Sequence, residues 1–328
     1  MATDQTPVNR LAESVVRDRR VSRPQVGLLL PSRETLLWGE SNFASLVASA
    51  RAAEESGFDS VWVGDSLLAR PRGEPLVLLA AIAGATTRVS LGTAALLPLL
   101  RHPLSLAHSL ATLDRVAEGR LIVGVGPGAE LPGTHAELGA VGVPSERRVS
   151  AMLAELERCR RLWRGEEPDI QLQPTPFRAG GPPIWAGATG PRMLRATGER
   201  FEGWLPLSTS PEIYAAGLRA VREAAEKAGR DPAIIAPGLI LTIAIADTAA
   251  QAHKQLDEYY RGYYDVPAEV MGPGQAMHAG TLQSAGEWIV GYVAAGAKHI
   301  IVRLALPGPA LADIDAVARE LLAVTRRL

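Results

Sequence analysis

A strand–helix–strand unit over residues 89–130 constrains the fold of this chain more than any other stretch. An apolar run, VSLGTAALLP, is followed by a helical segment and by a second apolar run, RLIVGVGPG. Two such strands joined by a helix form one βαβ unit, so they lie parallel. In parallel α/β proteins the chemistry sits at the carboxyl ends of the strands, where the small residues of both runs fall.

Eight apolar runs alternate with eight helical segments along the chain. That count predicts a closed (β/α)8 TIM barrel rather than a doubly wound sheet. A Gly-x-Gly-x-Gly run at 124–128 follows the fourth strand instead of the first, so the dinucleotide-binding fingerprint is not met. Two segments are predicted to be irregular, residues 129–143 and a mobile excursion at 265–281. The predicted strands are residues 25–30, 59–64, 89–95, 121–125, 183–186, 203–207, 238–246 and 298–304.

Composition limits the partners and the compartment of the protein. A net charge of −1 over 328 residues provides no electrostatic case for nucleic acid or an anionic membrane. No apolar run is long enough to span a bilayer, and no secretory signal is recognisable. The single cysteine, Cys159, excludes an intrachain disulfide and suits a reducing cytoplasm. Residues 1–23 are predicted to be a polar extension, and residues 24–328 one domain.

The sequence GATGPR at residues 187–192 follows the fifth predicted strand and precedes a helix. Glycine lets the backbone approach a ligand closely, Thr189 can hydrogen-bond, and the first amides of a helix point outward. Together these features suit a phosphate group. A plain turn in which Thr189 caps the helix explains the same residues equally well.

The sequence GTAALLP at residues 92–98 ends the third predicted strand with two alanines. Ala94 and Ala95 leave room for a flat ring against the backbone, and a bulge there would direct polar backbone groups into a pocket. Tight packing of a small-residue strand against a helix is the simpler explanation. It is favoured on these residues alone.

Polar side chains follow several predicted strands. Asp65 and Ser66 come after the second, where a carboxylate can bind a ring heteroatom or accept a proton, although such an aspartate more often caps a turn. Glu130 and His135 follow the fourth strand, where they either reach a pocket or are solvated. Arg303 ends the last strand, where it can meet a phosphate or an acidic substrate, or pair with a carboxylate.

No metal-binding or nucleophile motif is recognisable in the chain. His102 and His108 flank the third helix without metal-ligand spacing, and neither GxSxG nor a P-loop occurs. We therefore predict no metal site. Cys159 lies in a charged helical stretch and is expected to be a partly buried helix residue, not a catalytic thiol.

Four stretches together resemble the luciferase-like monooxygenase superfamily of flavin- and deazaflavin-dependent oxidoreductases. They are AEESGFDSVWVGD at 53–65, RVSLGTAALLPLLRHPLSLAHSLATLDRVAEGRLIVGVGPG at 88–128, LGAVGVPSERR at 138–148 and PPIWAGATGPRMLRATGERFEGWLP at 182–206. The resemblance spans roughly residues 24–328, and the second stretch is its most specific part. It implies a (β/α)8 barrel with a helical insertion near the last strands, and a homodimer.

The resemblance implies cofactor contacts for several of these residues. Ala94 and Ala95 match a β-bulge, often with a non-prolyl cis peptide, that supports the isoalloxazine ring. Asp65 matches the acidic residue after the second strand. The other implied contacts are Thr93 beside the bulge, Gly126, Pro127 and Gly128 for the ribityl chain, and Gly187, Ala188, Thr189, Gly190, Pro191 and Arg192 for the phosphate.

Two departures from the family pattern bear on the activity. Many members carry a histidine at the position of Ser66, so the usual general acid/base is missing and the proton donor is unassigned. In the deazaflavin-dependent sugar-phosphate dehydrogenase branch a glutamate directly follows the glycine-rich loop, whereas this chain has Ala129 there and Glu130 next. The lysines with which that branch binds a sugar phosphate are not apparent either. These differences argue against that specific activity.

The resemblance thus implies a two-electron oxidoreductase acting on a small organic substrate, by hydride transfer with coenzyme F420 or by monooxygenation with reduced FMN. An aspartate instead of a glutamate at position 65 favours the deazaflavin. Asp65, Ser66, Glu130 and His135 are the catalytic candidates, and residues 247–281 are a candidate lid. A non-catalytic flavin-binding barrel is the alternative that Ser66 motivates. A metal-dependent barrel hydrolase is disfavoured because His and Cys clusters are scarce.

Overall fold

A computed structural model describes residues 23–39, 42–187 and 189–327. Most of the predicted polar extension, residues 1–22, lies outside the described residues, and so does Ala188. The strands are β1 (Gln25–Leu29), β2 (Ser60–Val63), β3 (Ser90–Thr93), β4 (Leu121–Val125), β5 (Ile184–Ala186), β6 (Gly203–Trp204), β7 (Ala236–Ile245), β8 (Met277–Gly280) and β9 (His299–Leu304). The helices are α1 (Glu34–Trp38), α2 (Ala44–Ser56), α3 (Pro75–Ala85), α4 (Pro103–Val116), α5 (Pro132–Ala140), α6 (Arg148–Arg164), α7 (Pro191–Arg200), α8 (Pro211–Lys227), α9 (Ala249–Tyr264), α10 (Ala268–Met271), α11 (Leu282–Ala294) and α12 (Ile314–Thr325).

Eight parallel strands close into a barrel in the ring order β1, β2, β3, β4, β5, β6, β7, β9. The ring closes because β7 pairs with β6 on one side, at Gly203↔Ala236, and with β9 on the other. This confirms the predicted (β/α)8 fold. The outer half of β7 also pairs with β8, so β8 lies outside the ring beside α9 and α10. These three elements form the helical insertion near the last strands.

The barrel interior is filled by large side chains rather than left open. Trp62, Trp185 and Ile301 are buried there with Ile122, Leu205 and Ile240. The tryptophans fit because neighbouring strands carry glycine. A Cβ atom at Gly92 would lie 2.0 Å from the Trp62 ring, and one at Gly203 would lie 2.4 Å from the Trp185 ring. The interior is therefore a packed floor beneath the mouth of the barrel.

Capping residues explain where several helices begin. Thr248 forms a capping box with Gln251, so α9 begins directly after Thr248. His102 accepts a hydrogen bond from the Leu104 amide at the start of α4, a capping role. Cys159 is fully buried in α6, and burial raises the pKa of its thiol to about 12, so it is not a reactive thiolate. No helix in the described ranges has the length and apolar character to cross a bilayer.

Two segments predicted to be irregular contain regular elements. Residues 129–143 include α5, which begins at Pro132 and buries Glu137 and Leu138 against the barrel. Residues 265–281 include α10 and β8, where β8 pairs with the half of β7 that extends beyond β6. Glycine and proline suggested loops in both segments. Tertiary partners provide the hydrogen bonds and apolar contacts that these residues lack locally.

Candidate active site

A cavity of about 550 Å³ opens at the carboxyl ends of the barrel strands. Its volume lies within the range of sites that bind small molecules and cofactors. The structure brings most of the predicted site residues into the lining of this cavity, although they come from five different strand ends. The predicted site residues in its lining are Asp65, Ser66, Ala94, Ala95, Gly126, Pro127, Gly128, Gly187, Thr189, Gly190 and Arg303.

The end of β3 forms a flat, small-residue part of the wall. The peptide between Ala94 and Ala95 is cis, as the resemblance led us to expect. The Ala94 amide donates to the Val63 carbonyl, and pairing with β4 resumes at Leu96, whose amide donates to the Gly124 carbonyl, both at 2.7 Å. The two methyl groups in between leave space beside the backbone. Thr93 is fully buried instead, and its hydroxyl donates to the Gly124 carbonyl at 2.8 Å.

The loops after β4 and β5 lie against each other beside the two alanines. The Gly187 amide donates to the Val125 carbonyl at 2.7 Å. A Cβ atom at Gly126 would lie 3.5 Å from the Ala95 methyl, an ordinary van der Waals distance, so packing does not require a glycine here. Gly128 has a φ of 80°, a left-handed conformation that favours glycine. These loops can therefore approach a ligand with their backbone atoms.

The amino terminus of α7 faces the same cavity. Thr189 and Gly190 are exposed in its lining, and no side chain caps the helix at Gly190. Uncapped amides of a first helical turn are a ready site for an anion. Pro191 and Arg192 are outside the lining. Pro191 is the first residue of the helix, and Arg192 donates to Ser150.

Asp65 lies at the cavity wall, but both of its oxygen atoms are bound. Oδ2 accepts from the Leu97 amide at 2.9 Å and from Arg101 at 2.6 Å, and Oδ1 accepts from Arg101 at 3.1 Å. Arg101 also pairs with Glu74 at 2.6 Å. This network holds the loop after Ala95 in place. Asp65 therefore shapes the wall, since its carboxylate is already committed to an ion pair.

Ser66 is bound to Glu137, a residue of α5 that the sequence analysis missed. The Ser66 hydroxyl donates to Glu137 Oε2 at 2.7 Å, and the Leu68 and Ala69 amides donate to the same oxygen. Burial raises the pKa of Glu137, but these hydrogen bonds lower it by more, so the group is a carboxylate. Its buried position in a helix would have identified Glu137, but the sequence pattern predicts residues 129–143 to be irregular.

Glu130 and His135 are outside the cavity lining. Glu130 is exposed and pairs with Arg148, while His135 Nε2 lies 2.6 Å from the other Glu130 oxygen. The ion pair with Arg148 lowers the pKa of Glu130. Arg148 itself does line the cavity, and its Nε atom is buried without a hydrogen-bond partner in the described structure. The cavity lining thus includes Arg148, which is paired with Glu130 and keeps one unpartnered nitrogen, instead of the two predicted polar groups.

Arg303 is buried at the end of β9 and faces a group of tyrosines from α9. Its Nη1 donates to the Tyr264 hydroxyl at 2.7 Å, and Tyr264 also lines the cavity. The Arg70 guanidinium lies over the Tyr264 ring, 4.9 Å from its centre. Burial raises the pKa of Tyr264, the cations of Arg303 and Arg70 lower it, and the net shift is downward. The predicted lid segment thus contributes an ionisable hydroxyl to the wall.

A family model described as luciferase-like monooxygenase matches residues 25–327. Over 229 aligned residues the chain is 34% identical to the phthiodiolone/phenolphthiodiolone dimycocerosates ketoreductase of Mycobacterium tuberculosis, with 59% of each chain covered. The chain thus spans about three fifths of that relative's length.

Two solved structures share the fold. An F420-dependent secondary alcohol dehydrogenase in complex with an F420-acetone adduct superposes with a TM-score of 0.76 at 19% identity, covering 93% of this chain and 99% of the other. The oxygenating constituent of 3,6-diketocamphane monooxygenase from Pseudomonas putida, in complex with FMN, superposes with a TM-score of 0.70 at 20% identity, covering 91% and 96%. At these identities the likeness establishes the fold alone.

Proposed function

Because the chain belongs to the luciferase-like monooxygenase family, we propose that it is a two-electron oxidoreductase that binds a flavin-type cofactor at the mouth of the barrel. One observation carries this proposal. The alanine pair after β3, the glycine loop after β4 and the uncapped amino terminus of α7 line a single cavity of about 550 Å³. A planar ring with a phosphorylated side chain would fit these three surfaces in that order.

The residues present fit such a group. Ala94 and Ala95 would support one face of the ring, Gly126 to Gly128 would follow the ribityl chain, and Thr189 and Gly190 would meet the phosphate. The unpartnered Nε of Arg148 supports the last assignment, because a buried guanidinium nitrogen favours an anionic acceptor. When bound, the cofactor supplies the redox chemistry, and the protein supplies orientation and exclusion of water.

Coenzyme F420 is the preferred cofactor and FMN the second choice. The aspartate at position 65 favours the deazaflavin, and the relatives described above include a ketoreductase and an F420-dependent alcohol dehydrogenase of the same fold. These activities support hydride transfer to a carbonyl group or from an alcohol. Oxygen insertion is the second possibility, because a monooxygenase that binds FMN has the same fold.

Tyr264 is the proposed proton donor. When a carbonyl is reduced, hydride adds to its carbon and its oxygen takes up a proton. Asp65 and Ser66 cannot easily supply that proton, because they are bound to Arg101 and Glu137. The Tyr264 hydroxyl lines the cavity, and its pKa is lowered, which suits a group that must exchange a proton.

Titration of the purified protein with each cofactor tests the proposal. We expect F420 to bind at micromolar concentration, seen as a change in its fluorescence, and FMN to bind more weakly. The variant Ala95→Leu should lose this affinity, since its side chain would occupy the proposed ring site, whereas Val116→Ala on an exposed face should not. Micromolar binding of FMN without F420 would reverse the preference, and binding of neither would refute the proposal.

A non-catalytic flavin-binding barrel is the second candidate. The observation that favours it is that Asp65 and Ser66, which occupy the usual catalytic positions, are both engaged in the wall. Measuring oxidation of the reduced cofactor in the presence of each ketone of a panel discriminates the oxidoreductase from the non-catalytic barrel. Tight cofactor binding with no turnover across the panel would favour this candidate.

The assembly and compartment are also proposed. The family resemblance favours a homodimer, and a single buried thiol is compatible with a reducing cytoplasm. Light scattering after size-exclusion chromatography would test the homodimer, and the mass of a monomer would contradict it.

A further inference from the structure

Four arginines at one side of the mouth form what we call the arginine cluster: Arg33, Arg70, Arg72 and Arg303. Within the described residues, no carboxylate pairs with any of them. Other described arginines are of two kinds, since some, such as Arg120 and Arg230, also bind neutral oxygens. Nine pair with carboxylates, namely Arg23, Arg101, Arg148, Arg158, Arg160, Arg161, Arg164, Arg195 and Arg261.

Arg303 is the most buried member, with 7% of its surface exposed. Its hydrogen bonds go to the hydroxyls of Thr242, Tyr260 and Tyr264 and the amide oxygen of Gln275, at 2.7–3.1 Å, and none goes to a carboxylate. Neutral dipoles satisfy its donors but leave its charge uncompensated. A buried cation without a counter-ion is costly unless an anion joins it.

Arg72 and Arg33 both bind Tyr263. Arg72 Nη2 donates to the Tyr263 hydroxyl at 3.0 Å, and Arg33 Nη2 donates to the Tyr263 carbonyl at 3.2 Å. The Nε atom of Arg33 is buried without a hydrogen-bond partner in the described structure. Arg33 lines a side cavity of about 280 Å³, which shares Arg70, Tyr263 and Tyr264 with the main cavity. The cluster thus has one unpartnered guanidinium nitrogen and lies next to open space.

The acidic groups nearby are committed to other partners. Glu34 accepts a hydrogen bond from the Tyr259 hydroxyl, Asp65 is paired with Arg101, and Glu137 binds Ser66 and backbone amides. Asp265 lies exposed at the rim of the side cavity. Four guanidinium charges therefore lie near two carboxylates that form no ion pair in the described structure, the buried Glu34 and the exposed Asp265. The local balance is positive.

The cluster lies across the barrel from the proposed phosphate site. Arg303 ends β9, Arg33 follows β1, and Arg70 and Arg72 follow β2, and these three strands are neighbours in the ring. Thr189 follows β5, which is four positions from β1 in the eight-stranded ring. A cofactor with its phosphate at Thr189 and its ring at Ala95 leaves the cluster to the substrate. Apolar side chains line the same cavity, at Leu29, Leu207 and Ile240.

We propose that the arginine cluster binds an oxyanion of the substrate, a carboxylate or a phosphate monoester, on a molecule whose body is apolar. This deepens the proposed function, on which it rests, by giving the substrate class. Guanidinium groups bind both oxyanions in bidentate geometry, and the apolar wall receives the rest of the molecule. The site places the substrate body beside the ring position at Ala95.

Calorimetric titration with three eight-carbon probes tests this: octanoate, octyl phosphate and the neutral octanamide. Each is measured with and without bound cofactor. We expect one or both anions to bind at least tenfold more tightly than octanamide, and the comparison of octanoate with octyl phosphate identifies the preferred oxyanion. Arg70→Gln and Arg33→Gln should each lower the anion affinity by about ten- to a hundredfold, the loss expected for a charged hydrogen bond.

Arg195→Gln is the matched control, because Arg195 is an exposed α7 residue paired with Glu199, and its affinities should not change. Equal binding of all three probes, or unchanged anion affinity in both cluster variants, would refute the site. Loss of anion binding once cofactor is loaded would also refute it, since the cluster would then serve the cofactor. Cofactor fluorescence on the same samples reports the proposed function separately, so failure of one proposal is distinguishable from failure of the other.

Discussion

The floor and the mouth of the barrel are built by the same strands but use small residues in opposite ways. In the floor, Gly92 makes room for Trp62, whose ring lies 5.7 Å from that of Trp185. At the mouth, a Cβ atom at Gly126 would lie at an ordinary van der Waals distance, 3.5 Å, from its nearest neighbour, Ala95. Packing therefore requires the glycine at position 92 but not the one at position 126. We expect Gly126 to serve a ligand instead.

Charge separates the two regions as well. The floor holds one buried histidine, His299, which hydrogen-bonds Ser60 at 2.7 Å and stays neutral, because burial lowers its pKa to about 4. The mouth holds Arg303, Arg72 and Arg148, all cations. The floor is neutral and dense, whereas at the mouth Arg148 pairs with Glu130, and Arg303 and Arg72 have no carboxylate partner among the described residues. Changes in the floor should therefore affect folding, and changes at the mouth should affect binding.

Trp62→Ala should have the largest effect. Truncation of this fully buried side chain removes its apolar contacts and leaves a cavity, so we expect a loss of about 3–5 kcal/mol in the free energy of unfolding. Chemical denaturation would measure it. Val116→Ala on an exposed helix face is the control and should change stability by less than about 0.5 kcal/mol. A small loss for Trp62→Ala would contradict the packed floor.

Acid should destabilise the floor through His299. Its folded pKa of about 4 is below the unfolded value of 6.5, so the unfolded chain binds more protons between these values. The contribution of His299 is therefore fully present above pH 6.5 and declines by about 3 kcal/mol as the pH falls to 4 and below. Between pH 7 and pH 4, the variant His299→Gln should therefore lose about 3 kcal/mol less stability than the unsubstituted protein. Identical pH dependence of the two proteins would rule out the assignment.

Tyr264→Phe should lower kcat for ketone reduction by about a hundredfold, the scale of a general acid. Cofactor affinity should stay unchanged, because the ring remains in place. Tyr260→Phe is the matched control, since Tyr260 also binds Arg303, at 3.1 Å, but does not line the cavity. Steady-state rates with a ketone found active in the substrate panel provide the measurement. Equal losses in both variants would indicate that the hydroxyls only position Arg303.

The pair Gly92→Ala and Gly126→Ala tests the comparison most directly, with the smallest effects. The methyl group at Gly92 would overlap Trp62, so we expect a loss of about 1–3 kcal/mol in stability. The methyl group at Gly126 meets no close neighbour and should cost less than about 0.5 kcal/mol, but it should weaken cofactor binding. Thermal unfolding and cofactor titration on both variants give the answer. The reverse pattern would overturn the distinction between packing and ligand glycines.

The fold was largely predictable because its signal is local. Each barrel strand is a buried apolar run, and β4 has the predicted bounds, Leu121–Val125. The third strand ends at Thr93, two residues before its predicted end, because the alanine pair interrupts the ladder between β3 and β4. The helix α5 and the strand β8 were missed because their glycines and prolines suggest loops. Contacts distant in sequence stabilise both elements.

The residues of the candidate site likewise fall into those that the sequence predicted and those that it did not. Ala94, Ala95 and the glycine loops could be found because they end apolar strands, and the resemblance assigned them to a cofactor. Glu130 and His135 carry the right chemistry in sequence but lie on the rim, outside the lining. Glu137, Arg70 and Tyr264 could not be found, since they come from α5, a loop and α9, which meet only in the closed barrel.

By itself the sequence determined the alternation of strands and helices, the barrel and the small-residue strand ends, because hydrophobic periodicity and glycine act over a few residues. Only the tertiary structure decided which polar groups are free. It bound Asp65 to Arg101 and Ser66 to Glu137, and it brought Arg303 and Arg72 together without a carboxylate. Ion pairs and hydrogen bonds form between residues far apart in the chain, so their partners are set by packing.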